Sequence, residues 1–329
     1  MRHVLITGGM GFIGTAIVKR FAATDRVTVA DRLDFGTSPD VDALCANGSV
    51  ELVKTDLAEL SPLHRRVREG EFEAIIHLAS LTHIPLCEEY PHIAYQSNVI
   101  SALNLVSRIP GECRFVNFST SSVYAPESRP HVEEASPLGA CDFYGLTKKH
   151  VEDLAQYYAE RNGLRILNIR PANAAGVGET NPKLLGTILQ QVGSGAPALE
   201  LGSLTPRRDF IHVDDIAWAI ARLVDLWPIE RGRVETVNVG TGHAPVSVEE
   251  VARKILALAG RSIEICSVAS RRRRLERELL AVDVTKLRRL LPDYRPRRVD
   301  EWLPAVVRDP RLRVENRLEQ ELKERTPDA

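Results

Sequence analysis

The sequence predicts an α/β protein, a doubly wound parallel sheet with a smaller C-terminal domain. Three observations carry this. Short apolar runs in the first half are continuous rather than alternating, as in strands buried on both faces. Longer stretches with apolar residues at helical spacing separate several of them. After Arg170 that rhythm gives way to a Gly-, Pro- and Asn-rich stretch. With 329 residues, the chain has room for one large domain or two ordinary ones.

In order, Arg2–Thr7 reads as a strand ending in glycines, and Thr15–Ala23 as the helix after it. Arg26–Ala30 is a second strand closed by Asp31, Val50–Lys54 a third, Ala74–Ala79 a fourth, Arg114–Ser119 a fifth and Leu164–Arg170 a sixth. Helical patterns cover Ile93–Ser107 and Phe143–Arg161 between the last three. Pro171–Thr205 reads as irregular structure, and Asp214–Leu226 as a helix. Val234–Val239 reads as a strand and Ser247–Ala259 as a helix opened by a capping box of Ser247 and Glu250. Right-handed crossovers between parallel strands make the sheet doubly wound.

Composition excludes several classes. Hydrophobic residues at 44% and charged residues at 26% are globular values, not those of a disordered chain. The formal net charge of −1 gives no basic surplus for sequence-blind nucleic-acid binding, so no nucleic-acid partner is expected. No apolar run approaches the ~20 residues that span a bilayer, and Met1 leads into Val4-Leu5-Ile6 without a cleavable signal pattern. The 5 cysteines are scattered and form no CxxC pair. No membrane, no metal and a reducing cytoplasm are the expectations.

The first chemistry-bearing motif is Thr7-Gly8-Gly9-Met10-Gly11-Phe12-Ile13-Gly14, between the first strand and the first helix. Glycines there allow a tight turn, close backbone approach to a pyrophosphate and close helix–sheet packing. Glycines also mark ordinary turns, but here a strand precedes, a helix follows and Asp31 ends the second strand, as a dinucleotide site requires. A carboxylate at Asp31 accepts from the adenosine ribose hydroxyls and repels a 2′-phosphate, which favours NAD over NADP. Arg32 beside it is the residue that would receive such a phosphate. A Rossmann-type nucleotide-binding unit is expected.

Tyr144 and Lys148 stand four apart at the start of a predicted helix and share one face. An ammonium near a phenol favours the phenolate, so Lys148 is expected to pull the Tyr144 pKa down from about 10 and make it a general base. The bland alternative is a surface neighbour pair. Ser119-Thr120-Ser121-Ser122 places four hydroxyls at the carboxyl end of the fifth strand, where such sheets bind ligands. A hydroxyl run also suits a turn or helix cap.

Together the glycine turn, the Tyr144/Lys148 pair and the Ser119–Tyr124 strip resemble the extended short-chain dehydrogenases/reductases, and within them the NAD-dependent nucleotide-sugar epimerase/dehydratase family. The resemblance runs through Thr55-Asp56-Leu57, His77-Leu78-Ala79-Ser80, Asn98, Arg170-Pro171-Ala172-Asn173, Arg208–Asp215 and Asn238–Gly242. It implies a cofactor site of Gly8, Gly11, Phe12, Ile13, Gly14, Asp31, Arg32, Asp56, Leu57, Leu78, Ala79, Ser80 and Asn98, with Tyr144 and Lys148. It implies catalysis by Thr120, Tyr144 and Lys148, and nucleotide-sugar binding by Ser121, Ser122, Asn173, Arg208 and Arg273. The implied domains are 1–172, with 209–243 returning to them, for NAD, and 173–208 with 244–312 for the nucleotide sugar. A charged tail, 313–329, follows.

Resembling dehydratases and uronate decarboxylases carry carboxylates after the threonine, where this chain has Ser121 and Ser122. The strip is most similar to UDP-glucuronate and other UDP-sugar 4-epimerases, which oxidise C4, turn the 4-keto sugar over and reduce it from the other face. A nucleotide 4-keto-sugar reductase, an atypical dehydratase acting on a GDP- or dTDP-sugar, and a non-catalytic NAD-binding protein are the alternatives. The resemblance also implies a homodimer through the Ile93–Ser107 and Phe143–Arg161 helices.

Overall fold

The computed structural model describes residues 1–179, 183–227, 229–272 and 275–309. Its strands are β1 (His3–Thr7), β2 (Arg26–Asp31), β3 (Val50–Lys54), β4 (Ala74–His77), β5 (Arg114–Phe118), β6 (Arg165–Pro171), β7 (Asn173–Ala175), β8 (Ala198–Leu201), β9 (Arg207–Arg208), β10 (Phe210–His212), β11 (Arg233–Val239), β12 (Val246–Ser247), β13 (Glu264–Ser267) and β14 (Leu279–Leu280). Seven of them form one sheet in the order β11-β6-β5-β4-β1-β2-β3, with every neighbouring pair parallel. This is the doubly wound sheet the apolar runs predict.

The order reverses between β1 and β4. Loops leaving those two strands diverge to opposite faces and open a crevice at the carboxyl ends, the place where such sheets take ligands. One face of the sheet is covered by helices Phe12–Phe21 and Val213–Leu226, whose Ile17, Val18, Ile216 and Ile220 join Val4, Ile6 and Val116 in a fully buried core. On the other face, Leu5, Ile75 and Phe115 pack with Leu63, Leu105 and Ala155. A separate core gathers Leu185, Ile188, Leu199, Val251, Ile255, Trp302 and Val306 in the C-terminal part.

Two expected elements differ. Pro171–Thr205, expected to be irregular, holds β7, the helix Leu184–Gly193 and β8. Leu185, Ile188 and Leu189 supply an apolar face that the surrounding Gly and Pro content disguised. The single helix expected at Ile93–Ser107 is instead Pro91–Tyr95, a π-helical turn at Gln96–Ile100, and Ser101–Val106. π turns of this kind are frequent at functional sites, and this one carries Asn98. The capping box of Ser247 and Glu250 is present as expected.

Arg273 and the 313–329 tail lie outside the described residues. Among the described residues no helix is long and apolar enough to cross a membrane, and no cluster of three or more His, Cys, Asp or Glu is suited to a metal.

Candidate active site

The glycine turn fits a dinucleotide on steric grounds. Gly8 has φ +70°, the left-handed region, and a Cβ on it would lie 2.8 Å from the Ala79 nitrogen. A Cβ on Gly14 would overlap the Gly8 carbonyl oxygen. The turn can therefore lie close to the loop after β4 while Gly11, Phe12 and Ile13 begin the helix. No side chain caps that helix N-terminus, where Gly11 is the N-cap. Free N–H groups at such a terminus suit a pyrophosphate.

Asp31 ties this loop to the end of β2. It accepts from the Met10 N–H at 3.1 Å and the Leu33 N–H at 2.9 Å, while burial holds its carboxyl above the ordinary value. Arg32 is engaged by carboxylates on both sides, Asp34 at 2.9 Å and Asp56 at 3.2 Å. Acidic groups thus crowd the end of the site where a 2′-phosphate would sit, which fits NAD better than NADP. Leu57, next to Asp56, is buried.

After β4 the chain turns toward β1: the Leu78 N–H donates to the Thr7 carbonyl at 3.1 Å and the Ala79 N–H to its hydroxyl at 3.3 Å. β4 itself ends at His77 rather than at the expected Ala79. Ser80 donates to the Leu78 carbonyl at 3.1 Å. Asn98 accepts from the Leu81 N–H at 2.7 Å and donates to the Leu81 carbonyl at 3.0 Å and the Thr147 hydroxyl at 2.9 Å. It clamps the loop beside the cofactor site to the helix Phe143–Asn162.

That helix begins at its N-cap Asp142, whose side chain accepts from the Gly145 N–H at 2.7 Å. Its first turns bring Tyr144 and Lys148 to the carboxyl end of β5. Thr120 lies there in extended conformation and its hydroxyl accepts from the Ser122 N–H at 3.1 Å, opening a 3₁₀ turn over Ser121–Val123. The hydroxyl run therefore acts as a turn cap, and the Thr120 hydroxyl is near enough to Tyr144 to favour its ionised form. Ser121 and Ser122 are buried in the turn.

The expected effect of Lys148 on Tyr144 is corrected by the structure. Burial dominates and pushes the phenol above its ordinary value, against the Thr120 hydroxyl, which works the other way. The Lys148 Nζ lies 6.0 Å from the Tyr144 ring centroid and donates to the Phe118 carbonyl at 2.9 Å. Its own pKa is pushed down to about 8 by burial. One turn further along, Glu152 accepts from the Ser119 hydroxyl at 2.5 Å and forms a two-point ion pair with Arg170, at 2.9 and 2.6 Å. The Arg170 guanidinium lies 4.7 Å from the Tyr124 ring centroid, and the Tyr124 hydroxyl donates to Asn238 at 2.8 Å. A buried polar network thus underlies the strip.

Asn173 begins β7, which pairs with β10, and its N–H donates to the carbonyl of Asp209, the residue after Arg208, at 2.9 Å. Arg208 donates to the Arg277 carbonyl at 2.8 Å and to Glu276 at 3.2 Å. Arg277, which sequence reasoning missed, is buried and reaches the Ser122 and Tyr124 carbonyls at 2.9 and 2.8 Å. It lies three residues beyond the Arg271–Arg274 run, and nothing local in the sequence marks it.

A profile of the NAD dependent epimerase/dehydratase family matches residues 4–240. UDP-glucose 4-epimerase 2 of Oryza sativa subsp. japonica is 32% identical over 293 residues, covering 80% of this chain and 71% of its own. UDP-glucose 4-epimerase of Azospirillum brasilense is 30% identical over 281 residues, 79% of this chain and 78% of its own. Among solved structures, the UDP-glucose 4-epimerase of Thermus thermophilus in complex with NAD superposes with a TM-score of 0.78 at 26% identity, over 93% of this chain and 97% of that one.

Proposed function

Since this chain belongs to the NAD dependent epimerase/dehydratase family and is an NAD-dependent nucleotide-sugar epimerase, we propose that it inverts C4 of a UDP-sugar. The observation that carries this is the placement of Thr120 at the carboxyl end of β5 with Tyr144 and Lys148 on the helix beside it, next to a turn whose first two residues are serines. Water elimination needs an acid and a base near the sugar, and Ser121 and Ser122 supply neither.

When bound, NAD would supply the hydride acceptor and donor for C4. Tyr144, once ionised against the burial that raises its phenol, takes the proton of the C4 hydroxyl and gives it back when the opposite configuration forms. Thr120 orients that hydroxyl. Lys148, held by the Phe118 carbonyl, supplies positive charge to the phenolate side of the site. Segments 173–208 and 244–309 act as the nucleotide-sugar arm, with Asn173 and Arg208 at the diphosphate; a guanidinium suits that group. The curated relatives named above are UDP-glucose 4-epimerases, which favours a neutral UDP-hexose. The paired hydroxyls of Ser121 and Ser122 favour a substrate with an acceptor group at C6, UDP-glucuronate included.

The reading includes a homodimer through the Phe143–Asn162 helix, which leaves Leu146 and Tyr157 exposed. It places the protein in the cytoplasm, where its free cysteines stay reduced.

The test is chromatography with mass spectrometry of the purified protein against UDP-, GDP- and dTDP-sugars, UDP-glucuronate included, with no cofactor added. A product of unchanged mass and altered retention, formed from a UDP-sugar, is expected. Loss of water or carbon dioxide overturns the serine argument. Turnover that requires a 4-keto sugar and reduced cofactor replaces the epimerase with a reductase.

A further inference from the structure

Arg277 takes no part in the proton transfer described above, yet it joins the nucleotide-sugar arm to the catalytic strip. The residue is 6% exposed. Its two terminal nitrogens donate to the Tyr124 carbonyl at 2.8 Å and the Ser122 carbonyl at 2.9 Å. Both acceptors belong to the strip that follows Thr120. The Ser122 carbonyl also lies close to Gly145, where an added Cβ would come within 2.6 Å of its oxygen. Gly145 adjoins Tyr144. The Ser122 peptide is therefore wedged between the Arg277 guanidinium and the first turn of the helix that carries the base.

The same short segment holds the diphosphate arginine. The Arg277 carbonyl accepts from Arg208 at 2.8 Å, and the neighbouring Glu276 carboxylate accepts from it at 3.2 Å. Two residues on, β14 pairs with β9, which contains Arg208. A planar fork with two donors can hold two carbonyls in fixed relation, which a lysine ammonium cannot do.

We propose that Arg277 is a positioning residue for the Thr120–Tyr144 pair: it presses the Ser122 peptide against Gly145 and thereby couples the arm that carries Arg208 to the geometry of proton transfer. The inference rests on the assignment of Tyr144 as the proton-transfer group and deepens it. Arg208 acts on binding, whereas Arg277 acts on the step itself, since small misplacements of reacting groups cost rate rather than affinity.

The test compares Arg277→Met, Arg277→Lys and Arg208→Met in the full chain, by steady-state kinetics and by amide hydrogen exchange. In Arg277→Met, amides of Ser121–Ala125 exchange about tenfold faster or more while those of β5 do not change. Its kcat falls about 10²-fold with KM within about threefold of the parent. Arg277→Lys recovers part of both losses, and Arg208→Met raises KM instead. Exchange and kcat both within about twofold of the parent overturn the proposal. So does a loss confined to KM, which would make Arg277 a substrate contact. If the parent turns over no nucleotide sugar, the functional reading fails, while the exchange result still decides whether Arg277 holds the strip. If Arg277→Met does not fold, Arg277→Lys decides alone: faster exchange in Ser121–Ala125 supports the proposal and parental exchange overturns it.

Discussion

The Lys148 ammonium donates to the main-chain carbonyl of Phe118, the last residue of β5, at 2.9 Å. One side chain thereby joins the helix that carries Tyr144 to the strand that leads into Thr120. The cost of this link is a lysine removed from water.

Burial lowers the Lys148 pKa from 10.5 to about 8. Between those two values the unfolded chain keeps a proton that the folded chain has lost, so this group makes stability rise with pH across that window. Below about 8 the burial penalty is constant, on the order of 3 kcal/mol. Relative to Lys148→Met, the parent should gain stability from about pH 8 to about pH 10.5 in denaturant titrations. A difference that stays flat over this range contradicts the assignment.

Tyr144→Phe removes the hydroxyl proposed to exchange the proton while leaving the ring in its pocket with Leu86, Cys87 and Tyr90. kcat should fall by about 10²–10⁴-fold with the melting temperature kept. Steady-state assays on the active UDP-sugar, paired with thermal unfolding, check both halves. Parental kcat in a folded Tyr144→Phe would remove the residue from the mechanism.

Gly14→Ala places a methyl against the Gly8 carbonyl oxygen, and backbone cannot rotate away as a side chain can. The turn must open, with a stability loss of about 1–3 kcal/mol and weaker NAD binding. Cofactor content after purification and calorimetric titration with NAD measure the second effect; unchanged NAD affinity would show that the turn does not approach the cofactor.

Asp31→Ser removes the carboxylate at the end of β2 and the repulsion it would exert on a 2′-phosphate, with Arg32 left alongside. Preference should move toward NADP by about tenfold or more. The shift is limited because Asp34 and Asp56 still engage Arg32. Titrating both cofactors into the variant gives the ratio directly, and an unaltered ratio would place the ribose elsewhere.

Glu152 and Arg170 form a two-point ion pair, each side chain 6% exposed. Glu152→Ala leaves the guanidinium buried and uncompensated, which should cost about 3–5 kcal/mol in urea unfolding. Adding Arg170→Met should recover much of it, since an apolar pair avoids the stranded charge. A single-variant loss under about 1 kcal/mol would mean that water or another group reaches the arginine.

Much of this molecule is legible in consecutive residues. The apolar runs that became β1 to β6, the glycine turn between β1 and its helix, and the i, i+4 spacing of Tyr144 and Lys148 all depend on neighbours in the chain, so period and spacing reveal them. The π turn that points Asn98 at Leu81 and Thr147 does not, because its extra residue is stabilised by contacts from other segments. The helix Leu184–Gly193 was hidden because its flanks are rich in Gly and Pro.

The site divides along the same line. Sequence alone supplied the residue types that could move a proton and the glycine turn proposed to take a dinucleotide, since those follow from motif and strand order. Only the tertiary structure decided that the Tyr144 phenol is raised rather than lowered, because burial is a property of everything packed around it. Only the tertiary structure, too, selected Arg277 as the arginine under the catalytic strip. Its partners lie 153 and 155 positions away, and the pairing of Leu279–Leu280 with Arg207–Arg208 sets the register that brings them together. No local period encodes a contact at that separation.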